Sequence, residues 1–349
     1  MPFGLRIFLV LAAAAALPAC SSCRRSADSQ GDIALLPQET GVLFTANLEK
    51  ARTTAFWRKL MELRGGEKRA AATQPPAGDG APKDYEEFVA RCGLDPLKQL
   101  TSIAIALPSA GPATAMSGQF GAIFHGTFDP QKLVACARAT VKQDGGELKE
   151  EDYAGKKVYT DTLSSAMSFT LLDSHTTVVA GREWIKKMVD LATGKAGAGA
   201  RANAPLVELL KKVDGAAAFS GIGLVSDAMR ARLKEDPRLA VAASMKDAYG
   251  SLDFTTGAML SAVVDLGSDA AAKELSDKVS QQVQEWKKSS RIMMMGLASY
   301  IDAIQVVSHG SAFQLNVKLT QQQLDELIMR AQGLLGGGMI PPMGRAVAP

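Results

Sequence analysis

Along this chain, short runs rich in β-branched and aromatic residues alternate with longer stretches whose apolar positions recur at helical spacing. Residues 41–48 (GVLFTANL) read as a strand, and 51–64 as a helix with Phe56, Trp57, Leu60, Met61 and Leu63 on its apolar face. Residues 84–92 predict a short helix, and 102–107 and 120–128 predict strands. Asp129-Pro130 then opens a helix that runs to 143. The aspartate is an N-cap, and the proline sits at the first helical position, where its missing N–H is not needed. Residues 147–153 and 156–161 predict a hairpin turned at Ala154-Gly155, and 167–172 with 176–180 a second one turned at Asp173-Ser174-His175. The helix predicted over 182–193 presents Trp184, Ile185, Met188 and Val189.

After residue 204 the same order starts again. A strand is predicted at 215–222, a helix at 226–235, and strands at 249–256 and 258–266. A long helix from Asp269 follows, with Leu275, Val279, Val283 and Trp286 on one stripe. Strands 301–308 and 311–319 form a last hairpin through His309-Gly310, and a helix at 321–334 carries Leu324, Leu327, Ile328 and Ala331. The chain reads as two diverged copies of one unit, strand, helix, two strands, helix, hairpin, helix, occupying 33–200 and 205–335. Strands joined by tight turns are antiparallel, and helices between them must cover a face. The fold class is therefore α+β, with antiparallel sheets covered by helices. Gly, Pro and Ala crowd residues 65–83, which predict a mobile loop, and 193–204 form a smaller break. Residues 336–349 lack any period and predict a disordered tail.

Composition narrows this picture little. Of 349 residues 47% are hydrophobic and 21% charged, a globular balance that excludes wholesale disorder, collagen and coiled coil. A net charge of +3 is too small for a nucleic-acid binder of this length. Three histidines and four cysteines leave little material for a metal site or a disulfide scaffold.

The N-terminus carries an address. Arg6 precedes an apolar run, Ile7 to Leu17 (IFLVLAAAAAL), which is shorter than the ~20 residues a bilayer-spanning helix needs. Leu17-Pro18-Ala19-Cys20 follows. This resembles the lipobox of bacterial lipoproteins, Leu-x-[Ala/Gly]-Cys. The resemblance implies that residues 1–19 are a removed signal peptide, that the Cys20 thiol carries a diacylglyceryl group, and that the new N-terminus is acylated. It also implies an outer-membrane location, because Ser21 rather than aspartate follows the cysteine. Residues 20–32 then form a lipidated, polar tether. An ordinary signal peptide cleaved near Ala19 is the alternative. Cys20-Ser21-Ser22-Cys23 is formally C-x-x-C, but a lipidated first thiol has no redox role. Farther on, Leu36-Pro37-Gln38-Glu39-Thr40, Trp57, Gly93-Leu94-Asp95-Pro96 and Tyr153-Ala154-Gly155 resemble phrases of an exported bacterial lipoprotein family of unknown function. That resemblance brings no activity with it.

Candidate chemistry is sparse. Gly221-Ile222-Gly223-Leu224-Val225-Ser226 has the look of a dinucleotide turn, but a serine stands where a third glycine or alanine belongs. It reads better as a strand-to-helix turn capped by Ser226 or Asp227. His125, His175 and His309 share no metal-ligand spacing and read as one partly buried and two exposed imidazoles. Glu150-Glu151-Asp152 reads as a solvated strand edge. Ile292-Met293-Met294-Met295 reads as core at a helix end, with an adaptable binding surface as the alternative. Cys92 and Cys136 flank the strands at 102–107 and 120–128. A disulfide between them is one reading, and two separate buried thiols are the other, since Cys136 fits the stripe of Leu133, Ala137 and Val141.

The sequence thus predicts an outer-membrane-anchored lipoprotein with a non-enzymatic binding or structural role in the cell envelope. Its expected partners are the membrane, through lipid on Cys20, and an envelope protein; no nucleic acid, cofactor, metal or catalytic residue is expected. One alternative is an amphiphile carrier, with a closed apolar cavity lined by Met293, Met294 and Leu297. Another is a hydrolase with an unrecognised site, marked by a polar cleft holding a close Ser–His or Asp–Glu pair.

Overall fold

The computed structural model describes residues 29–62, 81–109, 118–163, 167–235 and 243–335. The signal peptide, residues 20–28 of the tether, most of the loop 65–83 and the tail 336–349 lie outside the described residues.

The strands are β1 (Thr40–Asn47), β2 (Leu100–Pro108), β3 (Gly121–Gly126), β4 (Leu148–Tyr153), β5 (Lys156–Asp161), β6 (Met167–Leu171), β7 (Thr176–Gly181), β8 (Phe219–Leu224), β9 (Asp247–Asp253), β10 (Ala258–Asp265), β11 (Ile304–His309) and β12 (Ala312–Leu319). They form one antiparallel sheet in the order β11-β12-β10-β9-β8-β1-β2-β3-β7-β6-β5-β4. The α+β architecture expected from the alternating periods is what the chain adopts. The helices are α1 (Ser29–Asp32), α2 (Leu48–Thr53), α3 (55–62), α4 (Ala81–Cys92), α5 (Pro96–Gln99), α6 (Pro130–Gln143), α7 (Arg182–Ala192), α8 (Ala204–Lys212), α9 (Asp227–Glu235), α10 (Asp269–Lys288), α11 (Ser290–Met294), α12 (Ala298–Asp302) and α13 (Gln321–Leu335).

The halves join at β1 and β8, where Leu43 stands opposite Ile222 and the Thr45 and Ser220 hydroxyls are 2.6 Å apart. Outward from this seam the order is β1, β2, β3, β7, β6 on one side and β8, β9, β10, β12, β11 on the other. The β4–β5 hairpin extends the first half only. At its turn Ala154 and Gly155 both have positive φ (50° and 78°), the backbone a two-residue hairpin of native twist requires.

Leu43, Ala104, Ile123 and Val178 point to one face, where α7 and α8 close over them with Trp184, Ile185, Met188, Leu206 and Leu209. The same cluster takes in Ile33 and Leu36 before β1 and Ile222 on β8. The expected units 33–200 and 205–335 therefore share one core. The helix α8 starts at the last residue of the predicted break and packs into this shared core, and Ala200 within the break is fully buried, so 193–204 do not separate two bodies.

Other expected boundaries moved for local reasons. The helix predicted over 51–64 is split at Thr54, whose hydroxyl donates to Ala51 O and accepts from Trp57 N; the side chain ends one helix and caps the next. The strand predicted from 215 begins at Phe219, because Asp214 closes a side-chain turn on Ala216 N, 2.9 Å away. The tether is shorter than expected, since Ser29–Asp32 is a helical turn and Asp32 is buried. The helix expected at 84–92 starts at Ala81.

Candidate functional site

The helix α6 lies across the other sheet face. Asp129 caps it, accepting from Gln131 N and Lys132 N at 3.0 and 3.1 Å, and Pro130 fills its first turn. It turns Cys136, Ala137, Thr140 and Val141 inward. Cys136 is bonded to Cys92 at the end of α4, with Cα atoms 4.9 Å apart and a separation of 44 positions in sequence. A loop of that size contributes ~3–4 kcal/mol in the chain-entropy picture. The bridge fastens α6 and α4 together, with Phe88, Leu94 and Leu133 packed around it.

Between α6 and β3, β5, β6 and β7 is a cavity of about 100 Å³, walled by Phe124, Phe128, Leu133, Ala137, Tyr159 and Phe169 among others. The Tyr159 and Phe169 rings stack at 4.9 Å and form one side. Asp161 also lines it and is 4% exposed; its Oδ1 accepts from Leu163 N at 2.8 Å, while Oδ2 is buried without a partner. Thr177 Oγ1 is likewise buried and unpartnered. Tyr159 and Phe169 pair, as do Phe169 and Val179. Asp161 and Thr177 are therefore displaced to opposite ends of that row, and the polar atoms mark opposite corners of an otherwise carbon-lined space.

Beyond the Tyr159 ring lies an open groove of about 620 Å³, lined by Pro130, Val134 and Arg138 of α6 and by Lys156, Lys157 and Leu171. Its cations are balanced by the edge strand. Lys157 Nζ is 2.8 Å from Glu150 and 3.0 Å from Asp152, and Arg138 is 3.6 Å from Glu150. Hydrogen bonds to Glu150 and then Asp152 hold the Lys157 ammonium charged well above the ordinary lysine range. Burial, aided by the Glu150 charge, pushes the Tyr159 phenol up, so the wall between cavity and groove is a neutral ring.

The arrangement suits shape and apolarity rather than bond making. A 150 Å³ apolar cavity stays dry and admits benzene. By that scale the present space takes about four carbon atoms, the end of an acyl chain or part of a ring. If Tyr159 turned aside, cavity and groove would join into a space of the size that ordinary ligand pockets have.

The residues singled out in the sequence lie elsewhere. Cys20 is outside the described residues. Gly221 and Gly223 sit inside β8, opposite Phe44 and Val42, and not in a phosphate-cradling turn. A Cβ on Gly221 would lie 2.9 Å from the Phe44 ring, which accounts for the glycine. Ser226 caps α9 by accepting from Met229 N. His175 and His309 are exposed; His125 is partly buried, with Nε2 2.6 Å from the Asp32 carboxylate. Thr176 Oγ1 is 3.5 Å from His125 Nδ1, a Thr–His–Asp sequence of contacts. The outer contact is at the limit of a hydrogen bond, Thr176 is buried, and neither cavity nor groove includes it, so the hydroxyl faces no substrate space. The contact instead ties the start of the domain to β3. Among the described residues no group of three His, Cys, Asp or Glu could hold a metal.

The methionine run is not core, as the helical spacing suggested, and does not line a cavity. Met293, Met294 and Met295 are exposed, and so is Trp286, the last member of the α10 stripe. The helix α10 packs on β11 and β12, the last strands on that side, and Val283 is the last of its stripe residues that this packing buries. No single sequence signal could have found the cavity, since its walls come from seven elements between Leu100 and Val179. Only the amphipathic pattern of α6 hinted at it.

No family model matches the chain, and no curated protein matches it. Solved structures titled crystal forms I and III of TP0453 are similar at 11% identity, with TM-scores of 0.42 and 0.44. The alignments cover 85% and 88% of this chain and 95% and 99% of those chains. No helix among the described residues is long and apolar enough to cross a membrane.

Proposed function

We propose that the protein is a lipid-anchored binding protein of the bacterial cell envelope, held by acyl chains on Cys20, which takes the apolar end of an amphiphile into the cavity beneath α6 and performs no chemistry on it. The cavity carries this reading. A ring-walled, largely apolar space next to a groove that carries cations fits a molecule with an apolar end and a polar one. The groove side holds Arg138, Lys156 and Lys157 among carboxylates, where a polar head exchanges one solvated ion pair for another. The lipobox at Leu17-Pro18-Ala19-Cys20 supports the anchor, and Ser21 supports the outer membrane. Ser29–Asp32 is already a helical turn, so the nine residues 20–28 span at most ~32 Å and keep the body near the bilayer.

The test uses cis-parinaric acid, a fluorescent fatty acid with a narrow acyl end, on the full chain. Its fluorescence should rise on binding, and Ala137→Trp, which fills the cavity, should lower affinity at least ten-fold while the melting curve stays cooperative. Tyr159→Ala should raise it by joining cavity and groove. Equal binding to wild type and Ala137→Trp would sink the cavity as the site. Labelling with tritiated palmitate tests the anchor separately: the label should vanish in Cys20→Ala, and label retained there refutes it.

A further inference from the structure

We infer that the tip formed by the end of α10 and by α11 is a second membrane contact, which docks onto an anionic lipid surface by inserting Trp286 and the methionines Met293 to Met295. The inference rests on the anchored reading, which brings a bilayer within reach. Met294 is 78% exposed and Trp286 43% exposed, and Met329 on the adjacent α13 is exposed as well. Apolar side chains of this size, exposed within ten residues of one another, are unfavourable in water and mark a surface that meets an apolar phase.

The local backbone holds them out. Leu297 N donates to Ile292 O and Gly296 N to Met293 O, the paired bonds of a Schellman stop. Gly296 supplies the left-handed residue this stop needs (φ 64°). The Arg330 guanidinium, from α13, binds the Met295 and Gly296 carbonyls. The methionines therefore stand on a fixed turn instead of collapsing onto α10.

Charge decides which partner fits. Residues 286–295 (WKKSSRIMMM) hold three basic residues and no acidic one. Lys287 is paired with Asp302 at 2.8 Å, but Lys288 and Arg291 are exposed beside the methionines. Tryptophan, flexible apolar side chains and flanking cations are the composition of an interfacial element, in which the rings settle at headgroup level and the cations meet lipid phosphates. A protein partner of acidic surface would meet the same cations. It would not explain why the most exposed residues are unbranched apolar chains.

Tryptophan fluorescence of the mature chain reconstituted in vesicles tests this. Trp57 and Trp184 are buried, so quenching by brominated acyl chains reports Trp286. In vesicles containing brominated phosphatidylglycerol, roughly a third of the emission should be lost, and Trp286→Phe should abolish the loss. Lys288→Gln with Arg291→Gln should lower the tip's partition into the surface roughly 30-fold, at about five-fold per charge. Brominated phosphatidylcholine alone should quench far less. An unquenched Trp286, or quenching indifferent to lipid charge and to the double substitution, overturns the inference. Self-association through the tip in its place also overturns it. Mass analysis of the N-terminal peptide shows separately whether Cys20 carries lipid, so failure of the anchor and failure of the tip are distinguishable.

Discussion

Asp247 and Asp265 face each other across β9 and β10, a like-charge pair at the end of the sheet. They resolve the conflict unequally. Asp265 is desolvated too, but hydrogen bonds from Gly267 N and Ser311, with Lys246 and Lys212 nearby, hold its carboxyl below the usual range. Asp247 Oδ1 is buried without a partner, and desolvation raises its carboxyl above the usual range, with Lys212 opposing. A carboxyl raised by folding binds more protons in the native state than in the unfolded one, so stability falls as pH rises through the unfolded value toward the folded one. Asp247→Asn should therefore raise the melting temperature near neutral pH, and the gain should vanish below about pH 3.9, where the aspartate is protonated in both states. Thermal melts of both proteins from pH 3 to 7 check this; a constant difference across that range would contradict it.

At the scale of elements, the sheet ends in two different edges. The β4 edge carries Glu150, Glu151 and Asp152, each paired with a cation: Arg138 and Lys157 with Glu150, Lys186 with Glu151, Lys157 with Asp152. Such exposed pairs contribute at most ~1 kcal/mol each, so their main effect is to keep another strand from adding to the edge. Glu150→Val with Glu151→Val should leave the melting temperature within a few degrees of wild type but produce dimers and larger species by light scattering at micromolar concentration. A variant that stays monomeric would show that the twist of the edge protects it instead. The charges were legible as an edge before any coordinates, because three adjacent acids alternate across both faces of a strand and cannot all be buried.

For the whole molecule, the shared core predicts cooperative unfolding. Leu206, Leu209 and Ile222 pack with Trp184 and Leu43, and Lys50 on α2 pairs with Asp253 on β9, so each half completes the other. Calorimetry should give one endotherm whose calorimetric and van't Hoff enthalpies agree. Two separable transitions would mean that the units fold as independent domains. Truncating Trp184, fully buried in that core, should cost ~3–5 kcal/mol and lower the whole transition rather than part of it.

The sequence by itself determined the elements and their partners in the chain. The α6 cap at Asp129, the buried stripe of α7, the turn at Ala154-Gly155 and the antiparallel α+β class all rest on contacts between near neighbours, which spacing and side-chain type express directly. Tertiary structure alone decided what lies far apart in sequence. It joined β1 to β8 into a single sheet and gave the predicted break at 193–204 a buried role. It also placed Cys92 against Cys136, where the stripe allowed either outcome. Burial depends on what covers a face, and periodicity cannot report that. The stripe ending at Trp286 and the run at Met293 have core spacing, yet nothing among the described residues covers them and they stay exposed. Conversely, the cavity under α6 exists because seven elements meet imperfectly, a volume that no single segment encodes.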